Sequence, residues 1–191
     1  MNILIDKLPT SVVIDGVEYK INSDFRTSIL FSLLMEDRDV NEQDKILGAL
    51  QLYYDVIPSN INSAIDEIIN FYLCNDNNNT SSGSSKNKSN KKVLDYDIDS
   101  NYIYSAFLTQ YHIDLQDIKY LHWWKFKAML ESLNDDLMLS KIIKFRSIDI
   151  SKIQDKEQKK YYQKMQKIYE IKEKISEEEL KQLEEWKNYL T

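Results

Sequence analysis

The chain has 191 residues, 42% of them hydrophobic, and a formal net charge of −6; that length can bury one substantial core or two small ones. The acidic balance argues against a general nucleic-acid binder, whose surface usually carries positive charge to offset phosphate. Three glycines and two prolines are too few for the turns of an all-β fold, and the single cysteine, Cys74, excludes an intrachain disulfide and points to folding in a reducing cytosol.

Met1 to Lys7 lacks the basic flank and apolar core of a signal peptide. No run of about twenty apolar residues could span a bilayer, so no membrane partner is expected. Val12 to Ile21 alternates around Asp15-Gly16, a pair suited to the positive backbone angles of a two-residue turn, which predicts a small hairpin. A lone hairpin is marginal and must lie on a helix. Asp24 can cap one whose apolar positions Ile29, Leu30, Leu33 and Leu34 recur at helical spacing. A second helix is predicted from near Asn41, with Ile46, Leu47, Leu50 and Tyr54 on one face. It should end before Pro58, because the residue preceding proline avoids the helical region. A third runs from about Asn60 to Leu73 through Ile61, Ala64, Ile65, Ile68, Ile69 and Tyr72. Residues 1–74 therefore read as one lobe, a hairpin on three helices.

Residues 75–92 are almost wholly Asn, Ser, Lys, Thr and Gly, too polar to offset the entropy of ordering. They read as a disordered tether with a reach of roughly 20 to 25 Å, which would let the two halves dock or move independently. Residues 93–147 read as an aromatic-rich helical lobe. Its first helix, from about Asp99 to Tyr111, places Ile103, Ala106, Phe107, Gln110 and Tyr111 on one face. The next is predicted from near Asp117 with two apolar rows, one of Trp123, Phe126, Leu130 and Leu133, the other of Ile118, Leu121, Trp124 and Ala128. A helix apolar around so much of its circumference is usually central. A short helix from Asp135 to Phe145 carries Leu139, Ile142 and Ile143. Residues 148–191 differ in kind: Ser151 to Lys174 reads as a long amphipathic helix with a narrow stripe of Tyr161, Met165, Ile168, Lys172 and Ile175. After a break, the capping-box pattern at Ser176 to Glu179 opens a final helix through Leu180, Leu183, Trp186 or Lys187, and Leu190, expected to fold back on it. The fold class is mainly α, helical bundle lobes with one small N-terminal β-hairpin.

Few residues offer chemistry. Asp95, Asp97, Asp99 and Asn101 imitate the start of a calcium loop, but Ser100 stands where glycine is needed and Ala106 where a bidentate glutamate should close it. The better reading is carboxylates at a helix N-terminus. His112 and His122 stand on different predicted helices without a zinc-site pattern, and Cys74 beside a tether makes a poor nucleophile. Gly16, Gly48 and Gly83 are too scattered for a phosphate-cradling loop. No metal, no cofactor and no catalysis are expected. The candidate site is the aromatic cluster Tyr120, Trp123, Trp124 and Phe126, either a core or a partner contact. Trp123 and Trp124 point about 100° apart on a helix, so they cannot share one stacking platform, and at least one belongs in the core. Lys152 to Lys174 could be a basic face for nucleic acid or for an anionic membrane, but Asp155, Glu157, Glu170 and Glu173 dilute it, and a solvated helix laced with side-chain pairs explains it equally well.

Three stretches carry a family resemblance. They are Leu8-Pro9 with Val13 to Asn22 and Asp24-Phe25-Arg26; Tyr102 to Phe107; and Tyr111 to Leu115 with Leu121-His122-Trp123-Trp124-Lys125-Phe126-Lys127. The chain from near its start to about Arg146 resembles the gene-product-fifteen proteins of tailed bacteriophages with long non-contractile tails, encoded beside the tape-measure gene. The resemblance implies a tail-assembly chaperone in the cytoplasm of the bacterial host. Its client would be the long helical tape-measure protein, with tail-tube subunits as a further partner and homo-oligomerisation left open. A structural tail or connector protein retained in the virion is the alternative, and a nucleic-acid-binding helical protein ranks third.

Overall fold

A computed structural model describes residues 2–75 and 92–172. The expected tether, apart from its end residues Asn75 and Lys92, and the expected final helix from Ser176 lie outside the described residues. Among those described the fold is mainly α, seven helices with one two-stranded antiparallel sheet. Asp15 and Gly16 adopt φ of 49° and 78° and close the turn between β1 (Ser11–Ile14) and β2 (Val17–Lys20), which pair Ile14 with Val17 and Ser11 with Lys20. Ile14 faces the core, and Asn60 Nδ2 donates to Asp15 Oδ2 at 3.0 Å, pinning the turn to the start of the third helix.

Polar caps set the early helix boundaries. Asp24 accepts from Arg26 N ahead of α1 (Phe25–Glu36), Asn41 from Asp44 N ahead of α2 (Glu42–Tyr53), and Asn60 from Ser63 N ahead of α3 (Ile61–Tyr72). The faces differ from the apolar rows expected for α1 and α2. On α1 the buried side chains are Phe25, Thr27, Ser28, Phe31 and Ser32, while Leu30 is exposed. Small serines let aromatic rings approach, and Ser28 Oγ hydrogen-bonds the Tyr53 hydroxyl at 2.8 Å. Leu34 turns instead toward Gly48 of α2, whose added Cβ would lie 2.7 Å from Leu34 Cδ2. On α2 Ala49, Leu50 and Tyr53 are buried, with Tyr54 at its C-cap, so Leu50 and Tyr54 lie inside as expected while Ile46 and Leu47 are exposed. At the end of α3, Cys74 and Asn75 have positive φ. Cys74 N donates to Phe71 O and Asn75 N to Asn70 O, the paired bonds of a Schellman cap.

The second half comprises α4 (Ser100–Tyr111), α5 (Trp123–Glu131), α6 (Met138–Ser147), a 3₁₀ turn at Ile150–Lys152 and α7 (Lys156–Ile168). α4 lies where its spacing puts it, burying Ile103, Ala106 and Phe107. α5 begins six residues later than expected, because Leu121 to Trp123 are extended against Ser23 to Phe25 rather than coiled. α6 begins after a turn closed by Leu137 N to Asn134 O, with Asn134 N held by Gln110 Oε1 at 2.8 Å. The long helix predicted from Ser151 is split by two successive caps: Asp149 accepts from Ser151 N to open the 3₁₀ turn, and Asp155 accepts from Gln158 N to open α7.

One core cluster runs from Ile14 to Leu139, so residues on both sides of positions 76–91 pack together. The two expected lobes are docked through α5, which contributes Trp123, Trp124, Phe126 and Leu130 to its centre. Lys92 closes the seam at the surface with ion pairs to Glu36 at 2.6 Å and Asp95 at 2.7 Å. Among the described residues no helix is long and apolar enough to cross a membrane.

Candidate functional site

The segment leading into α5 is fixed by backbone pairing before any aromatic ring is placed. Phe25 N donates to Leu121 O at 2.9 Å, and Trp123 N donates to Ser23 O at 2.8 Å. Leu121 N donates to Asp24 Oδ2 at 3.2 Å. The Arg26 guanidinium, paired with Asp24, donates to Leu115 O and Ile118 O at 2.8 and 2.9 Å. A helix through Ile118 would commit the Ile118 carbonyl to its own i→i−4 bonding and take it from that fork.

His122 then caps α5. Its Nδ1 accepts from Trp124 N at 3.1 Å, which leaves Nε2 protonated and donating to Pro9 O at 2.9 Å. Burial disfavours the imidazolium and pushes the His122 pKa below its ordinary value; the Pro9 carbonyl opposes this and Lys125 adds to it. Protonation would also place a hydrogen on Nδ1 facing the Trp124 N–H. A depressed folded-state value means that the unfolded chain binds the proton more readily. The contribution is therefore fully present above about pH 6.5 and is lost as pH falls through the folded value. Urea midpoints taken at about pH 7.5 and about pH 5 should drop on acidification, and His122→Asn should flatten that drop. Equal pH dependence in the two chains would sink the assignment.

The rings that follow are largely interior. Trp123, Trp124 and Phe126 are 1%, 5% and 0% exposed, whereas Tyr120 is 50% exposed and hydrogen-bonds Ser23 Oγ through its hydroxyl. The two indoles diverge and both end on α3: Trp123 Nε1 donates to Tyr72 O at 2.9 Å and Trp124 Nε1 to Phe71 O at 2.8 Å. Trp123 thereby serves a last-turn carbonyl that a helix leaves without an intrahelical donor, and Trp124 adds a second bond to Phe71 O beside that from Cys74 N. The Trp123 ring stacks on Tyr72, and Phe126 lies between Phe25 and Phe107 with centroids 4.8 and 4.9 Å away. Tyr120 is thus the one member of the cluster presented to solvent.

The carboxylates that imitate a calcium loop are engaged by protein donors. Asp95 Oδ1 accepts from Asp97 N and Ile98 N, and Oδ2 pairs with Lys92. Asp99, fully buried, takes a two-pronged contact from Arg146 at 2.6 and 2.9 Å and accepts from Asp95 N at 3.0 Å. Among the described residues no group of three or more His, Cys, Asp or Glu side chains could hold a metal ion. His112 ends α4 in the left-handed region, on the surface and remote in role from His122; Cys74 is half-buried in the α3 cap.

Arg146 was missed by the sequence reading. Besides Asp99 it donates to Val93 O at 3.1 Å and, through Nε, to Tyr169 O at 2.6 Å. The signal was present: the spacing Leu139, Ile142, Ile143, Arg146 puts a cation in line with an apolar face, and a cation there needs a buried partner. Beyond it lies α7, which has no fully buried residue. Among the described residues its attachments include the Phe145 ring against Tyr161, Tyr162 and Tyr169, Gln166 Nε2 to Ile148 O, and the Arg146 bond. Tyr162 and Met165 are half-buried, while Tyr161 and Ile168 are 51% and 55% exposed. Five lysines stand against one glutamate along this helix.

No curated protein and no solved structure matches the chain. A family model described as Bacteriophage Gp15 protein matches residues 4–171.

Proposed function

The chain belongs to the bacteriophage Gp15 protein family, and from that premise we propose that it is a tail-assembly chaperone, a binding protein and not a catalyst, acting in the host cytoplasm. Its client on this reading is the tape-measure protein, whose long helical segments present apolar stripes until tail-tube subunits enclose them. The observation that carries the reading is apolar exposure on capped helices: Leu30 on α1, Ile46 and Leu47 on α2, Tyr161 and Ile168 on α7. Helices with open apolar positions suit capture of an amphipathic helix, where anchors recur at three, four and seven residues. The buried aromatic cluster supports this indirectly, by holding α3, α4 and α5 as a rigid platform.

Co-expression with the tape-measure protein of the same phage tests the proposal. The client should stay in the supernatant and co-purify with the chain, and mass spectrometry of finished virions should find the client and not the chaperone. A client equally soluble on its own, never retained by the chain, rules the role out. Recovery of the chain in virions at stoichiometric amounts would assign it instead as a structural tail protein.

A further inference from the structure

Resting on the chaperone reading above, we propose that α7 is the client-docking face and that the segment it receives is an acidic amphipathic helix. Successive residues of a helix step by about 100°, so Tyr161 and Ile168, seven apart, share one face with Met165 between them. α6 covers only one side of that stripe, through Phe145 against Tyr161 and Tyr162. Among the described residues nothing covers the other side, where Tyr161 and Ile168 are each about half exposed. The same 100° step lines up Lys160, Lys164 and Lys167, all exposed, along that open flank. The helix carries a net charge of +4, five lysines against one glutamate, in a chain of net charge −6.

An open edge one stripe wide with two anchors about 10 Å apart accommodates a single helix over two turns. The lysine row attracts a partner whose apolar stripe is bordered by Asp and Glu and repels one bordered by Lys and Arg, so it selects as well as attracts. A lipid surface matches less well, because an interfacial helix buries a broad apolar face and most of this one is turned to Phe145. Nucleic acid matches less well too: of the two open anchors only Tyr161 is a ring and Ile168 is aliphatic, so successive bases find no run of stacking platforms.

The test uses the full-length chain and overlapping peptides that tile the tape-measure protein of the same phage. The retained peptides should be acidic and amphipathic, and binding should weaken with added salt. Ile168→Asp should weaken it by about tenfold or more, and Lys160→Glu combined with Lys164→Glu should do the same. All three positions are solvent-exposed, so far-UV circular dichroism should be unchanged, and sedimentation should show the same assembly state for each chain. If these chains hold tape-measure peptides as tightly as the wild type, docking lies elsewhere and the chaperone role stands without this face. If the wild type holds none, the chaperone reading and this one fall together. Loss in the variants of binding to duplex DNA or to phosphatidylglycerol vesicles, with peptide binding intact, would reassign the face and overturn the proposal. So would a wild-type dimer that the variants dissociate.

Discussion

Phe126→Ala is expected to lower the unfolding free energy by about 3–5 kcal/mol, the range for deleting a fully buried aromatic ring whose surroundings relax only partly. The ring is 0% exposed and lies between Phe25 of α1 and Phe107 of α4, with Trp123 stacked 5.8 Å away. Its removal opens a void among three helices at once, and α1 and α5 cannot shift relative to each other to close it without straining the pairing of Phe25 N to Leu121 O and Trp123 N to Ser23 O. Urea unfolding read by tryptophan fluorescence measures the loss as a lower midpoint at unchanged slope. Tyr120→Phe is the comparison. Its ring is half exposed and it gives up one hydroxyl bond to Ser23, so it should cost no more than about 1 kcal/mol. Equal losses in the two chains would mean that the stack is not the centre of the fold.

The contrast between those two aromatics marks the reach of the sequence. Asp15-Gly16, Asp24, Asn41 and Asn60 act through bonds to residues two or three positions away or through local φ, and such features are legible because the partner is on the same stretch of chain. α4 is legible for the same reason, its apolar spacing agreeing with its burial. The start of α5 is not. Ile118 and Leu121 continue the helical period of Trp124 and Ala128, yet Asp24 and Arg26, almost a hundred residues away, supply bonds that an extended segment uses better. The faces of α1 and α2 fail on a subtler point. Hydropathy gives leucine the core and serine the surface, whereas Ser28 and Ser32 are buried because their size admits Tyr53 and the rings beside it. Of the candidate cluster, the sequence puts Tyr120, Trp123, Trp124 and Phe126 together without saying which are enclosed. That depends on the last carbonyls of α3, which the two indoles reach across the chain.

Arg146→Leu should cost about as much, 3–5 kcal/mol, because removing one member of a buried ion pair strands the other. Asp99 is 0% exposed, and without the guanidinium its carboxylate keeps only the Asp95 amide among its observed donors. Asp99→Leu should be comparably damaging, since it leaves the guanidinium desolvated with only the Val93 and Tyr169 carbonyls. The double replacement, which removes both charges and refills the site with apolar volume, should recover much of the loss, as buried pairs replaced whole often cost little. Arg146 has a second consequence that Asp99 lacks: its Nε holds Tyr169 O, directly after α7. Amide exchange in α7 should therefore accelerate more in Arg146→Leu than in Asp99→Leu, and the double variant should regain stability without regaining protection there. A double variant with α7 as protected as in the wild type would show that the Phe145 rings alone hold that helix, and that Arg146 serves the core and nothing beyond it.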